Sequence, residues 1–171
     1  MINLTIDGVQ IEAKEGQSIL SAAREHGIHI PTLCFLEKIN EIGSCRICVV
    51  EVEGMNKLVT ACNTKVKAGM NITTDSPAVI ESRKNTLHLL MAEHKTNCFK
   101  CIKNGACELQ AMAREYGIDV PNFKSSHGDV QHDSSPTTRV FVSSASVVSA
   151  LVQKRPEDML FLLRETVHVY M

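Results

Sequence analysis

The distribution of cysteine constrains this chain more than any other feature. The 171 residues contain seven cysteines, and all of them lie between positions 34 and 107. The chain begins MINLTIDGVQ, which has no basic region followed by an apolar core, so we expect no signal peptide. An odd number of cysteines in an unsecreted chain argues against a disulfide framework. Clustered thiols in a reducing compartment are more often metal ligands, so the sequence predicts metal sites.

Composition excludes several classes of partner. The 18 Lys and Arg residues nearly balance the 19 Asp and Glu residues, and the formal net charge is −1. This balance gives no electrostatic reason to expect nucleic acid or an anionic membrane surface. With no Trp and only 4% aromatic residues, the chain offers few surfaces for base stacking. Because no stretch approaches eighteen consecutive apolar residues, we also expect no direct membrane insertion.

Alternating apolar residues predict the fold of the first part of the chain. Two alternating runs, 2–6 and 9–14, surround an Asp-Gly turn and predict a β-hairpin. Ser18 is expected to cap a helix that runs through His26. Further strands are expected at 48–52, 58–61 and 71–74. This order predicts a β-grasp layout, in which a mixed sheet packs on one helix.

Helical patterns follow the expected sheet. Ser76 and Pro77 predict a helix start, and the helix is expected to run to about His94. A second helix is expected over 105–116. The predicted buried faces are Leu87, Leu90, Met91 and His94 on the first helix, and Ala106, Leu109, Ala113 and Tyr116 on the second. The predicted divisions of the chain are residues 1–75, 76–120 and 121–171, the last being a polar linker and an irregular tail rich in Ser and Val.

Four cysteines form a first candidate metal site. Cys34, Cys45, Cys48 and Cys62 have the spacing C-x10-C-x2-C-x13-C. Four thiolates suffice to hold a 2Fe–2S cluster with two on each iron, and Gly43 is expected to let the backbone approach it closely. The alternatives are a four-cysteine zinc site and a redox-active C-x2-C pair. Zinc sites usually contain two short steps, and a redox pair leaves the two outer cysteines without a role.

The remaining cysteines form a second set together with one histidine. His94, Cys98, Cys101 and Cys107 have the spacing H-x3-C-x2-C-x5-C. A histidine at the end of an apolar helix face is usually a core residue, but three nearby cysteines need a fourth partner. A neutral imidazole in place of a thiolate is expected to raise the potential of a bound cluster. A structural zinc site with three cysteines and one histidine is the alternative, and the spacing does not separate the two.

Several segments of the chain resemble one family. They are EGQSILSAAREHGIHIPTLC, GSCRICVVEVEG, Cys62 and HKTNCFKCIKNGACELQ. The stretch from Ile2 to about Phe123 resembles the N-terminal region of the large iron–sulfur subunit of respiratory complex I. It is equally similar to that of NAD(P)-linked FeFe-hydrogenases and NAD-dependent formate dehydrogenases. The resemblance implies an α+β protein: a β-grasp, 2Fe–2S ferredoxin-like domain, then a small helical 4Fe–4S domain and an irregular tail.

The resemblance also implies ligands and partners. The implied 2Fe–2S ligands are Cys34, Cys45, Cys48 and Cys62, and the implied 4Fe–4S ligands are His94, Cys98, Cys101 and Cys107. The implied partners are an NAD(P)H-oxidising flavoprotein subunit and a downstream redox subunit. The expected location is the cytoplasm, with peripheral attachment to the inner face of the membrane through partner subunits as the alternative.

The end of the chain departs from the family. In the family, two C-x2-C-x2-C-x3-C runs follow, whereas here no cysteine follows Cys107. One hypothesis is that residues after about Arg139 come from a truncated or frame-shifted reading of a longer gene. A short paralogue with its own tail is the alternative. Sequencing the locus for cysteine codons in another frame tests this hypothesis.

The predicted function is electron transfer rather than catalysis by this chain alone. The sequence contains no P-loop, no G-x-G-x-x-G and no H-E-x-x-H motif. We therefore expect a module that relays single electrons through a 2Fe–2S and a 4Fe–4S cluster. The alternatives are a standalone 2Fe–2S ferredoxin with a vestigial second set, and a zinc-stabilised interaction domain that is redox-silent.

Overall fold

A computed structural model describes residues 1–94 and 98–119. In these ranges the elements are β1 (Ile2–Ile6), β2 (Val9–Ala13), α1 (Ile19–Glu25), β3 (Val49–Val52), β4 (Val59–Thr60), β5 (Asn71–Thr73), α2 (Pro77–Glu93) and α3 (Glu108–Glu115), with a 3₁₀ turn at Cys98–Lys100. They fall into two compact units, Met1–Thr86 and a second that begins at Leu87. The predicted linker and tail over 121–171 lie outside the described residues.

The five strands of the first unit form one mixed sheet in the order β2-β1-β5-β3-β4. Strand β1 pairs antiparallel with β2 through the predicted hairpin and parallel with β5. Strand β3 pairs antiparallel with both β5 and β4. The period-2 alternation of β1 turns Leu4 and Ile6 into the core. The predicted α+β arrangement, a mixed sheet with a helix, is confirmed.

Helix α1 begins where the sequence predicts. The Ser18 hydroxyl accepts a hydrogen bond from the Ser21 N–H at 3.2 Å, which satisfies one of the free donors of the first turn. Ile19 and Leu20 are fully buried and belong to the same core cluster as the sheet residues. Cys48 and Cys62 also belong to this cluster. Two of the predicted metal ligands are therefore part of the hydrophobic core of the first unit.

The face of helix α2 differs from the prediction. Leu87 is fully buried, but Leu90, Met91 and His94 are only half-buried. The other fully buried side chains of this helix include a charged one, Arg83, which the apolar pattern did not single out. The helix start is as predicted, with the Ser76 hydroxyl accepting from the Val79 N–H at 3.3 Å.

Helix α3 begins at Glu108, three residues after the predicted start at Gly105. Gly105 has a left-handed φ of +83°, and Cys107 has an extended backbone, so neither continues a helix. Ala106 is consequently exposed and does not belong to the buried face, where Leu109 and Ala113 are joined by Met112.

None of the helices in the described ranges combines the length and apolar character that spanning a bilayer requires.

Candidate metal centres

The four cysteines of the first predicted set are all buried. Cys34 and Cys45 lie in the long connection between α1 and β3, and Cys48 directly precedes β3. Cys62 lies two residues after β4, the strand that pairs with β3. Because the β3–β4 pairing joins the segments that carry Cys48 and Cys62, the sheet determines the position of half of the site.

The thiols of this set influence one another's pKa in two pairs, Cys34 with Cys45 and Cys48 with Cys62. The hydrogen bond from Cys34 lowers the pKa of Cys45 to about 6, and the same bond, together with burial, raises the pKa of Cys34. The hydrogen bond from Cys62 lowers the pKa of Cys48 to about 7, and it raises the pKa of Cys62 together with burial. One sulfur in each pair is thus predisposed to the thiolate form that binds metal.

Backbone N–H groups also point at these sulfurs. The Cys45 N–H donates to the Cys34 Sγ at 3.4 Å. Backbone hydrogen bonds from Ile47 and Ala61 favour the thiolates of Cys45 and Cys48 respectively. Between Cys45 and Ile47 the chain turns through Arg46, which has a left-handed φ of +59°. Hydrogen bonds to ligand sulfurs stabilise added negative charge on a cluster, so this loop fits a redox group.

A polar side chain shapes the ten-residue gap between the first two cysteines. Asn40 is buried, and its Nδ2 donates to the Cys34 carbonyl oxygen at 2.8 Å. The backbones of Asn40 and Leu36 also pair with each other. Sequence reasoning missed Asn40. Asparagine in a loop often forms a hydrogen bond from its side chain to the nearby backbone, and this tendency is the sequence feature that could have indicated its role.

Gly43 is required by its neighbours in this loop. Its φ is +70°, and a Cβ built on it would lie 2.9 Å from Thr60 Oγ1 and 3.1 Å from Asn63 Nδ2. Asn63 also donates from Nδ2 to the Ile42 carbonyl oxygen at 3.3 Å. The backbone at Gly43 therefore lies close to the side chains of Thr60 and Asn63, and a larger residue would collide with them.

The second predicted set surrounds one cavity. His94, Cys98, Cys101 and Cys107 all line it, together with Leu109 and other residues of and after α3. The three thiols are half-buried. Burial lowers the pKa of His94 below its ordinary value, which favours the neutral imidazole. Neutral imidazole is the form that binds metal, so the side chains around this cavity have suitable chemistry.

The donor sets fit iron–sulfur clusters. Over residues 1–94 and 98–119, no group of three or more His, Cys, Asp or Glu side chains is arranged to hold a single metal ion. The ligands of an iron–sulfur cluster attach to different irons, so they need not converge on one point. Two buried thiol pairs, and three thiols with one imidazole around a cavity, are donor sets that such clusters use.

Two segments of the chain match iron–sulfur families. Residues 1–77 match a family described as "2Fe-2S iron-sulfur cluster binding domain". Residues 83–121 match a family described as "NADH-ubiquinone oxidoreductase-G iron-sulfur binding region". These two segments belong to iron–sulfur protein families. The predicted family resemblance, iron–sulfur electron-transfer character, and 2Fe–2S and 4Fe–4S cofactors are confirmed by the matches.

Relatives of the two iron–sulfur segments are components of larger enzymes. The chain is 44% identical over 123 residues to the NADP-reducing hydrogenase subunit HndD of Solidesulfovibrio fructosivorans, covering 69% of this chain and 21% of that protein. It is 38% identical over 123 residues to the NADH-ubiquinone oxidoreductase 75 kDa subunit of Reclinomonas americana, covering 72% of this chain and 18% of that protein. The chain thus spans about a fifth of the length of these relatives.

A solved structure shares the fold of the iron–sulfur segments. It is a chain of an NAD⁺-reducing [NiFe]-hydrogenase in the H₂-reduced state, with a TM-score of 0.68 and 32% identity. The match covers 74% of this chain and 53% of that chain. The assignment of individual ligands in the present chain remains a prediction.

Proposed function

We propose that this chain relays single electrons from an NAD(P)H-oxidising flavoprotein subunit to a downstream redox subunit. The proposed 2Fe–2S ligands are Cys34, Cys45, Cys48 and Cys62, in a domain over residues 1–75. The proposed 4Fe–4S ligands are His94, Cys98, Cys101 and Cys107, in a small helical domain over residues 76–120. When bound, the clusters supply one-electron redox chemistry. The observation that carries the proposal is the burial of all four cysteines in the first unit, with the Cys45 N–H donating to the Cys34 Sγ at 3.4 Å.

The pairing supports a specific division of ligands. The pKa of Cys45 is lowered mainly by Cys34, and the pKa of Cys62 is raised mainly by Cys48. We propose that each pair holds one iron of the 2Fe–2S cluster, since each iron takes two thiolates. Burial of all four excludes water from the sulfurs. The Cys45 N–H, which already donates to the Cys34 Sγ, requires little rearrangement to stabilise the reduced state.

The proposal is tested by metal and sulfide analysis of the full chain after anaerobic purification. Two clusters require about six irons and about six acid-labile sulfides per chain. Zinc without sulfide would contradict the proposal and leave an interaction domain. About two irons with one zinc would reduce the function to that of a 2Fe–2S ferredoxin with a zinc-bound extension.

His94 offers a matched test of the second ligand set. We expect His94→Gln to remove or alter the electron paramagnetic resonance (EPR) signal of the 4Fe–4S cluster and to spare that of the 2Fe–2S cluster. The control is His29→Gln, because His29 is an exposed histidine in the first unit. An unchanged 4Fe–4S signal in His94→Gln would show that His94 is not a ligand.

The partner proposal rests on the relatives, which are subunits of an NADP-reducing hydrogenase and an NADH-ubiquinone oxidoreductase. We expect NADH or NADPH alone to leave the clusters oxidised. Adding the flavoprotein subunit of such an enzyme is expected to bleach their visible absorbance. Reduction without the flavoprotein, or none with it, would contradict the proposed partner. We propose a cytoplasmic location, with any membrane attachment made through partner subunits.

A further inference from the structure

Arg83 of α2 is a buried cation beside the first metal centre. Its side chain is only 1% exposed, the deepest burial of any charged residue in the described ranges. Burying a guanidinium costs free energy unless its N–H groups are paired. The buried guanidinium of Arg83 therefore needs hydrogen-bond or charged partners that compensate for the loss of water.

Two of the partners of Arg83 are the carbonyl oxygens of the residues that precede and follow Cys48. Its Nε donates to the Ile47 carbonyl oxygen at 3.1 Å, and its Nη2 donates to the Val49 carbonyl oxygen at 2.9 Å. The planar guanidinium presents these donors in a rigid fork, so it fixes both carbonyls at once. Because the C=O and N–H of a trans peptide point in opposite directions, the Cys48 N–H is directed away from the guanidinium.

Asp75, a carboxylate that pairs with Arg83, lies in solvent. The Arg83 Nη1 contacts the Asp75 Oδ1 at 3.1 Å, but the Asp75 side chain is 76% exposed. Water and salt screen an exposed carboxylate far more than a buried guanidinium. Asp75 therefore offsets the buried positive charge only in part, and the loop at Cys48 lies in the field of that charge.

We propose that Arg83 is a positioning residue for Cys48 and raises the reduction potential of the 2Fe–2S cluster. The inference rests on the proposed ligand assignment of Cys48. Reduction adds one electron to the cluster from the partner, and the negative charge increases by one. A fixed buried cation stabilises the more negative state more strongly than the oxidised state. The two hydrogen bonds from the guanidinium to the Ile47 and Val49 carbonyl oxygens hold the backbone at Cys48, and the nearby charge, in one position.

The test is an EPR-monitored redox titration of the full chain. We expect Arg83→Met to lower the midpoint potential so that the ratio of oxidised to reduced cluster at a fixed potential rises at least tenfold, or about 59 mV for a one-electron couple. Arg83→Lys keeps the positive charge but lacks the planar guanidinium that donates to both carbonyl oxygens at once. The midpoint potential of Arg83→Lys is expected to lie between those of the wild type and Arg83→Met. The EPR signal of its 2Fe–2S cluster is expected to be broader than in the wild type. Asp75→Asn is expected to shift the potential slightly in the opposite direction.

Val79→Ala controls for general loss of packing, because Val79 is a fully buried apolar residue of the same helix. It is expected to keep the wild-type potential. Iron and sulfide are measured in every sample. A wild-type chain without a 2Fe–2S cluster would refute the proposed function itself.

A loaded Arg83→Met with the wild-type potential would refute only the role of Arg83. If Arg83→Met does not fold, the measurements on Arg83→Lys test the role of Arg83. A wild-type potential and a wild-type line shape in that variant would overturn the inference.

Discussion

The two proposed metal centres contain similar C-x2-C steps but are built into the protein in different ways. In the first, all four cysteines are buried, and two belong to the core cluster of the sheet and α1. In the second, the three cysteines are half-buried. Among the described residues from position 87 on, the buried apolar side chains are Leu87, Leu109, Met112, Ala113 and Ile118. The first proposed centre is part of a hydrophobic core, whereas the described residues of the second unit contribute only these five buried apolar side chains.

The short C-x2-C steps show the difference most directly. The first step is Cys-Arg-Ile-Cys and the second is Cys-Phe-Lys-Cys, so each encloses one basic and one apolar residue. Ile47 of the first step is 1% exposed, whereas Phe99 of the second is 97% exposed. The same residue classes at the same spacing therefore contribute to a core in one centre and face solvent in the other. A ligand loop is stable without its cluster only where the core already holds it.

Removal of the clusters is expected to have the largest effect. Stripping iron with a chelator under anaerobic conditions should abolish amide protection across 98–107, with a loss of at least about tenfold, because few buried contacts remain there. Amides of β1 and β5 should stay protected, since their pairing does not involve the ligands. Hydrogen exchange followed by mass spectrometry measures both. An equal loss of amide protection in the two regions would contradict the expectation that only the second proposed centre depends on its cluster for local structure.

Single ligand replacements are expected to separate the centres. Cys101→Ser should lose the second cluster and leave about two irons per chain, whereas Cys45→Ser should leave about four. Iron analysis together with EPR of the reduced samples measures this. The two variants control for each other, because both replace a cysteine of a C-x2-C step by serine. Loss of both signals in Cys101→Ser would mean that the centres are not independent.

Truncation of the apolar residue in each step is expected to affect stability at the first centre far more than at the second. Ile47→Ala should lower the free energy of unfolding by about 2–4 kcal/mol, because it leaves a cavity beside Cys48. Phe99→Ala should change it by less than about 0.5 kcal/mol, because the ring is already in solvent. Urea unfolding of the loaded proteins under anaerobic conditions measures both. A loss of similar size in Phe99→Ala would show that its ring is buried.

Two glycines in the ligand loops allow a finer comparison. Gly43 and Gly105 both have left-handed φ values, +70° and +83°, but only at Gly43 would a Cβ meet other atoms. Gly105→Ala should cost about 1 kcal/mol from the backbone conformation alone. Gly43→Ala should cost about 1–3 kcal/mol more, because Thr60 and Asn63 must move. Equal losses in urea unfolding would show that the loop at Gly43 adjusts freely.

Local signals in the sequence predict most of the secondary structure of the first unit and the resemblance of its segments to iron–sulfur proteins. Alternation at 2–6 and 9–14, the Ser18 cap and the Ser76–Pro77 start are local signals, because each acts over neighbouring residues. The spacing of the seven cysteines and His94 is also local enough to indicate two ligand sets. The predicted start of helix α3 lies three residues too early, because Gly105 has a left-handed backbone that does not continue a helix.

The residues that surround the first proposed centre are brought together by the folding of distant parts of the chain. Arg83 lies 35 positions after Cys48 in the chain, yet its guanidinium contacts the carbonyls on both sides of that cysteine. Asn40 and Thr60 likewise gain their roles from contacts across the loop. No periodic pattern marks such residues, because a buried arginine and a surface arginine look the same in a sequence. Burial in the folded chain separates them, and it also makes Ile47 a core residue and leaves Phe99 in solvent.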